Sequence, residues 1–279
     1  MKPAARSCAL SFFAALLAAA GCVAQPAPPL LPGSTFTLKF PQMPPTLAEL
    51  MAPQGIPPMM SVYLPRNYDP QRKHPLLVYL QGWDGNRADS PSYPRLIAQE
   101  QDYVCVIMPL FKRNLDPADP VNTPPVMIIR DEDGKFAWPL YQEMLAKLEA
   151  AVPNLDPDRR ILGGFSNGAH MVGELIDQSN GEIARQFSAF FLVEGGGRMQ
   201  RYDLLKGKRL LLLYGNPKAL ARIQQMHDSG TAAGVEATIH EMPGVGHAFP
   251  PEQFPAVREW LRASASPLSV PQQNGGVGE

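Results

Sequence analysis

One five-residue segment constrains the fold of this chain more than any other feature. Residues 164–168 have the sequence Gly-Phe-Ser-Asn-Gly, and they lie between a strand-like segment at 160–163 and a helix-like segment at 169–176. In a sharp strand-to-helix turn of this kind, the serine stands at the end of a sheet, and the glycines avoid collisions with neighbouring backbone. The helix N-terminus is also directed at the reacting oxygen. Ser166 is therefore a candidate nucleophile.

The segments around this turn predict a single α/β domain. The chain has 279 residues, of which 45% are hydrophobic and 18% charged, so it can bury a substantial core. Strands are predicted at 34–40, 60–64, 76–80, 104–110, 160–164, 187–193, 210–214 and 237–241, and the clearest helices at 138–152 and 218–233. Apolar strands that alternate with helices predict a mostly parallel sheet covered by helices on both faces.

The first residues predict export from the cytoplasm. Two basic residues precede an apolar run at 8–20, which is shorter than the about 20 residues that span a bilayer. Residues 17–22 read Leu-Ala-Ala-Ala-Gly-Cys, a pattern typical of bacterial lipoproteins in which Cys22 becomes the acylated first residue. Cleavage after Ala24 is the alternative. The first case predicts a membrane-anchored lipoprotein, and the second a periplasmic or secreted protein.

Composition divides the chain into four parts. Residues 1–21 form the predicted signal peptide, and residues 22–58 a proline-rich tether with an N-terminal extension. The α/β domain is predicted to cover residues 59–263. Residues 264–279 carry proline, glutamine and glycine without periodicity, which predicts a disordered tail.

Charge and cysteine content argue against several classes of protein. Removal of a signal peptide with two basic residues would change the formal charge from -1 to -3, so nucleic acid is not an expected partner. Of three cysteines, only Cys105 lies beyond residue 22, so no disulfide framework is expected. The apolar neighbours of Cys105 favour a packed side chain over a nucleophile. His, Asp and Glu lack the spacing of metal ligands, and no glycine-rich phosphate loop is present, so no cofactor is expected.

Three motifs spread over residues 60–250 point to one family. At 76–86 an apolar strand leads into Gln-Gly-Trp-Asp-Gly-Asn, residues 155–169 contain the serine segment, and residues 243–249 read Pro-Gly-Val-Gly-His-Ala-Phe. Together they resemble the α/β-hydrolase superfamily, and within it secreted bacterial carboxylesterases of the feruloyl-esterase and polyhydroxybutyrate-depolymerase type. The resemblance implies an α/β-hydrolase fold. No large cap domain is expected, because only about fifteen residues separate Glu194 from Leu210.

The resemblance implies roles for individual residues. His247, on its glycine-rich loop beyond the last strand, matches the general base that a serine nucleophile requires. The oxyanion would be held by the backbone N–H groups of Asn167 and Trp83. Trp83 and Gln81 stand where the family commonly has glycine and histidine, but a backbone donor does not depend on its own side chain. The Trp83 ring either narrows the acyl pocket or packs on the sheet edge.

The third member of the triad departs from the family pattern. The usual acid follows the next-to-last strand, but residues 215–218 read Gly-Asn-Pro-Lys and contain no carboxylate. Glu194 ends the preceding strand, where some hydrolases of this fold place their acid, so we select it. Asp203 and Asp228 are the other candidates. The alternative for Glu194 is a structural carboxylate satisfied by the backbone of residues 195–197.

These residues predict a serine carboxylesterase that forms an acyl-enzyme on Ser166. The short connection after Glu194 predicts an open cleft, with the irregular segment 111–135 as one wall, and open clefts suit esters attached to polymers. The absent acid at the usual position and the altered oxyanion loop leave an alternative from another class, a non-catalytic or weakly active binding protein. The substrate is expected to be an ester, either a small molecule or attached to a polymer.

Overall fold

A computed structural model describes most of the predicted domain. It covers residues 29–39, 59–82, 90–110, 131–197 and 199–263. The predictions for the signal peptide, Cys22, Trp83, the cleft wall at 111–130 and the tail at 264–279 lie outside these residues. Within them, no helix is both long enough and apolar enough to cross a membrane.

Eight strands form one sheet. They are β1 (Thr35–Lys39), β2 (Met59–Tyr63), β3 (His74–Leu80), β4 (Val104–Met108), β5 (Leu155–Phe165), β6 (Ala189–Val193), β7 (Arg209–Tyr214) and β8 (Glu236–Glu241). Their order across the sheet is β1-β2-β4-β3-β5-β6-β7-β8. The pairs β1–β2 and β2–β4 are antiparallel, and every other neighbouring pair is parallel. The predicted mostly parallel sheet is confirmed.

Helices cover both faces of this sheet. They are α1 (Ser92–Ile97), α2 (Asp131–Ala151), α3 (Asn167–Gln178), α4 (Glu182–Gln186), α5 (Leu220–Ala232) and α6 (Phe254–Ala263). Strand β3 shows why two helical layers are needed, because all seven of its residues are buried. Leu76 and Val78 enter the core shared with α2, α3 and α5, whereas Leu77 and Tyr79 enter the core shared with α1 and α6.

Two elements begin well before their predicted starts. Helix α2 begins at Asp131 and not at Trp138, so residues 131–135 are helical and do not belong to an irregular wall. The start was predicted too late because residues 131–135 read Asp-Glu-Asp-Gly-Lys and lack the apolar residues at helical spacing on which the prediction depended. Strand β5 begins at Leu155 because the Asp-Pro-Asp sequence, which resembles a turn, is accommodated by a register shift against β3.

The predicted strand at 34–40 is present as β1. It pairs with β2 in the register Thr35 to Tyr63, and the amide of Gly33 donates to the carbonyl of Leu64 at 3.1 Å. The sheet therefore takes in a strand from the stretch that precedes residue 59. All strands from β3 to β8 end at one edge of the sheet, called the carboxyl edge below.

Candidate active site

Ser166 occupies the turn between β5 and α3 at the carboxyl edge. Its backbone has φ 52° and ψ −115°, a region that residues with a side chain rarely adopt. The amide of Ser166 donates to the carbonyl of Val193 at 2.8 Å, which ties the turn to the end of β6. The sharp turn expected from the sequence is therefore present, and hydrogen bonds to its surroundings hold it in a strained conformation.

Two glycines make this turn sterically feasible. A Cβ at Gly164 would lie 2.5 Å from the carbonyl carbon of Gly168. A Cβ at Gly168 would overlap the carbonyl oxygen of Leu80. Both obstacles are backbone atoms of packed elements, which cannot move aside at small cost. Glycine is required on both sides of the Phe-Ser-Asn sequence because β3, β5 and α3 are in direct contact here.

His247 faces the serine from the loop that follows β8. Gly244 and Gly246 in this loop have φ values of 75° and 69°, a region that favours glycine. The loop brings His247 Nε2 to 2.9 Å from Ser166 Oγ. The ring packs against Phe165, with 5.4 Å between centroids, and the side chain is 52% exposed. The imidazole is thus held on one side and open to solvent on the other.

Glu194 lies at the other nitrogen of this imidazole. Its Oε2 is 3.2 Å from His247 Nδ1, and its side chain is almost completely buried. Glu194 has a positive φ of 54°, so both this residue and Ser166 adopt strained backbone at the ends of adjacent strands. The structure therefore brings together the serine, the histidine and the selected acid, each from a different strand end.

The second oxygen of Glu194 has its own partners. Oε1 accepts hydrogen bonds from the backbone N–H groups of Gly215 and Asn216, the latter at 2.8 Å. The backbone that satisfies this carboxylate is therefore residues 215–216 after β7, and not residues 195–197 as the structural alternative supposed. A carboxylate with two donors on one oxygen presents the other oxygen to His247 in a fixed direction.

The contacts of His247 define its tautomer. A carboxylate accepts only, so Nδ1 carries the proton that is donated to Glu194. Nε2 is then an acceptor for the Ser166 hydroxyl. This arrangement can remove a proton from Ser166 and stabilise the positive charge that the imidazole acquires.

The other acid candidates have different partners. Asp203 accepts two hydrogen bonds from Arg201, at 3.0 and 2.9 Å, and this guanidinium lowers the pKa of Asp203. Asp228 interacts with His227 Nδ1 at 3.0 Å, and hydrogen bonding to this histidine lowers the pKa of Asp228. Both are exposed surface pairs, whereas both ring nitrogens of His247 are already engaged.

Of the two predicted oxyanion donors, one lies within the described residues. Asn167 is the first residue of α3, so its amide belongs to the helix turn that begins beside Ser166. Trp83 lies outside the described residues. The residues just before it are close to the serine turn, because Gly82 packs on the Phe165 ring and the carbonyl of Gln81 lies beside Gly168.

Other reactive side chains have structural surroundings. Burial raises the pKa of the Cys105 thiol, which disfavours the thiolate that a nucleophile requires. His170, in α3, accepts a hydrogen bond from the Gly196 amide at 3.2 Å. In the part of the chain that the structure describes, no three His, Cys, Asp or Glu side chains form a group that could hold a metal ion.

No protein-family model matches the sequence, and no curated protein matches it. Solved structures do match. A Bacillus cereus carboxylesterase has a TM-score of 0.51 at 21% identity over 70% of this chain and 92% of that chain. Thermogutta terrifontis esterase 2, solved after reaction with tabun, has a TM-score of 0.54 at 15% identity over 85% and 97% of the two chains. The chain has the α/β-hydrolase fold.

This α/β-hydrolase fold is not limited to enzymes that are named esterases. A Bacteroides ovatus protein described as a dipeptidyl aminopeptidase IV matches with a TM-score of 0.52 at 14% identity. The match covers 83% of this chain but only 35% of that one. At these identities the similarity establishes the fold, and the chemistry has to be argued from the residues at the carboxyl edge.

The two donors to Glu194 were not predicted from the sequence. Gly215 and Asn216 attracted attention only because neither residue is an acid. Their position directly after the apolar strand β7 was the available signal, because parallel strands end at one edge and adjacent loops meet there. Nothing in the sequence indicates that their N–H groups point at a carboxylate from β6.

Proposed function

We propose that this chain is a serine carboxylesterase that forms an acyl-enzyme on Ser166. One observation carries the proposal. Ser166 Oγ lies 2.9 Å from His247 Nε2, and His247 Nδ1 lies 3.2 Å from Glu194 Oε2. A nucleophile, a base and an acid that orients the base are within hydrogen-bonding distance of one another. The esterases among the similar structures support the choice of ester bonds.

The proposed reaction begins with attack on the ester carbonyl. Ser166 Oγ bonds to the carbonyl carbon while His247 Nε2 takes the hydroxyl proton. The amides of Asn167 and Trp83 would donate to the oxyanion that forms. When the C–O bond to the alcohol breaks, His247 returns the proton to the leaving oxygen. A water molecule then repeats these steps and releases the acid from Ser166.

Glu194 would act through His247. It keeps the proton on Nδ1, so that Nε2 is free to accept, and it stabilises the imidazolium that forms during attack. The binding-protein alternative depended on the absence of a carboxylate at residues 215–218 and on the altered oxyanion loop. The contact between Glu194 and His247 answers the first of these grounds, so we favour catalysis.

The proposed substrate is an ester on an accessible group, such as an acyl group attached to a polymer. Two features support this choice. The connection between Glu194 and Leu210 is short, and the His247 side chain is half exposed beside the serine. Neither feature fits a deeply covered pocket.

We also propose export from the cytoplasm, with Cys22 as a lipid attachment point. This proposal rests on the N-terminal sequence pattern.

Labelling with a fluorophosphonate tests the proposed nucleophile. The purified protein should react at Ser166 and hydrolyse p-nitrophenyl acetate, and Ser166→Ala should lose both properties together. Ser229→Ala, in helix α5, is the matched control and should keep both. Folded wild-type protein that neither labels nor turns over would instead support the binding-protein alternative.

Substrate choice needs two further comparisons. A p-nitroanilide with the same acyl group distinguishes an esterase from an amidase, and faster ester cleavage is expected. Soluble and polymer-attached forms of one ester test the open cleft, and the two rates of hydrolysis should be similar.

Lipid attachment is tested separately. The intact mass of protein recovered from membranes should include a lipid, and Cys22→Ala should abolish it.

A further inference from the structure

The loop after β7 connects two members of the site. The Gly215 amide donates to Glu194 Oε1, and the Asn216 amide donates to the same oxygen at 2.8 Å. The loop that carries His247 is attached to the same strand end, because the Met242 amide donates to the carbonyl of Tyr214 at 2.7 Å. One short stretch of backbone therefore contacts both the acid and the histidine loop.

Gly215 is also packed too closely to carry a side chain. A Cβ at this position would lie 2.7 Å from the carbonyl oxygen of Gly246 and 3.1 Å from that of Met242. It would also lie 3.1 Å from the Cβ of Val245. Gly246 directly precedes His247, so anything that displaces the Gly246 carbonyl displaces the base.

The requirement for glycine here does not come from its backbone conformation. Gly215 does not have a positive φ, whereas Gly244 and Gly246 do. The φ of Gly215 therefore does not by itself require glycine. A substitution at 215 would therefore act through the contact with Gly246 and through the hydrogen bond to Glu194.

We infer that Gly215 and Asn216 are positioning residues. Their two amides fix the Glu194 carboxylate, and the bare Cα of Gly215 sets the place of His247. This role rests on the proposed function of Ser166, His247 and Glu194. A displacement of about 1 Å in a catalytic group lowers rates about 10²-fold. Gly215→Ala should therefore lower kcat by about 10–100-fold while KM changes little, because the contact with substrate is not altered.

Gly230→Ala is the matched control. Gly230 lies inside α5, and a Cβ there would meet its nearest neighbour at 3.5 Å, an ordinary contact. This variant should keep wild-type kcat and KM. Equal turnover in Gly215→Ala and Gly230→Ala, with both proteins folded, would overturn the inference.

A second pair of variants keeps the test informative if Gly215→Ala does not fold. Asn216→Pro removes the amide that donates to Glu194, and Asn216→Ala keeps that amide but removes the side chain that accepts from Lys218 N. Asn216→Pro should lose at least tenfold more kcat than Asn216→Ala. In a Glu194→Gln background, Asn216→Pro should lose less than about threefold relative to Asn216→Ala, because effects through one shared contact are not additive. An equal loss in both backgrounds contradicts the inference.

The tautomer of His247 gives a measurement that is independent of turnover. In protein labelled with ¹⁵N-histidine, the His247 signals, assigned with His247→Ala, should report a proton on Nδ1 in the wild type. In Gly215→Ala the two tautomers should mix. If the wild type cleaves no ester but shows this change, the proposed function fails and the positioning role stands. If the wild type cleaves esters and Gly215→Ala changes neither kcat nor tautomer, only the positioning role fails.

Discussion

Two histidines at opposite edges of the sheet show how the surroundings of a structural histidine differ from those of a histidine placed to transfer protons. His74 begins β3 and is fully buried, whereas the His247 side chain is 52% exposed. Both rings have a partner at each nitrogen. For His74 the partners are backbone groups of Asp69 and Asp102, but for His247 they are a hydroxyl and a carboxylate. Only the hydroxyl and the carboxylate beside His247 can exchange a proton with the ring during a reaction.

Hydrogen bonds and ring stacking hold the His74 side chain in place. The Asp69 amide donates to Nε2 at 3.0 Å, so Nδ1 carries the proton and faces the carbonyl of Asp102 at 3.1 Å. The ring stacks on Tyr68 at 4.9 Å, and the Tyr68 hydroxyl donates to Asn154 at 2.7 Å. This network joins the loops that precede β3 and β5, so we assign it to stability.

The largest expected effect is the loss of activity in His247→Ala. The substitution should lower kcat about 10⁶-fold, because loss of the base alone costs about as much as loss of a whole triad. The free energy of unfolding should change by less than about 0.5 kcal/mol, since the side chain is half exposed. Steady-state kinetics and chemical denaturation on one preparation measure both quantities. His240→Ala, on β8, is the control and should retain activity. A loss below tenfold in His247→Ala would show that another group acts as the base.

His74→Ala should have the opposite effect. The change removes the partner of the Asp69 amide and of the Asp102 carbonyl, and it removes a fully buried ring that stacks on Tyr68. Two hydrogen bonds contribute about 0.5–1.5 kcal/mol each, and with the loss of the buried ring the free energy of unfolding should fall by about 2–5 kcal/mol. Denaturant titration measures this loss. The kcat of the folded variant should stay within twofold of wild type, and a large fall in kcat would contradict the structural assignment.

Residues expected at the carboxyl edge were easier to predict from the sequence than the first and last residues of individual helices and strands. The Gly-Phe-Ser-Asn-Gly segment was informative because close backbone contacts allow only glycine at its two ends. A requirement of this kind is visible in the sequence as the residue type. The start of α2 was missed because residues 131–135 have no apolar residue at helical spacing. Local pattern could not distinguish a polar first turn of a helix from a polar loop.

The acid illustrates a different limit. Selection of Glu194 came from its place after β6, but its contact with His247 depends on two loops that are 53 residues apart in the chain. No periodicity encodes such a distance. The donors at 215–216 were missed for the same reason, because a backbone N–H carries no signal of its own in the sequence. Side-chain chemistry could be proposed from residue types, and its geometry required the fold.

The two edges also differ in how well their buried polar atoms are satisfied. At the carboxyl end of β3, the Tyr79 hydroxyl and Gln81 Oε1 are buried without a hydrogen-bond partner among the described residues. Burial, with a smaller contribution from Tyr93, raises the pKa of Tyr79 well above its ordinary value, so the phenol is neutral. At His74, by contrast, both ring nitrogens have partners. The unsatisfied atoms beside the candidate site are therefore expected to lower stability locally.

Tyr79→Phe tests this difference and has the smallest expected effect. Because the hydroxyl has no partner among residues that the structure describes, removing it should leave the free energy of unfolding unchanged or raise it by up to about 1 kcal/mol. Tyr141→Phe is the matched control, since the buried Tyr141 hydroxyl donates to the Pro109 carbonyl at 2.6 Å, and its removal should cost about 1–3 kcal/mol. Thermal and denaturant unfolding of both variants compare them directly. Equal destabilisation would mean that the Tyr79 hydroxyl does have a partner in solution, and the contrast between the two edges would then rest on the histidines alone.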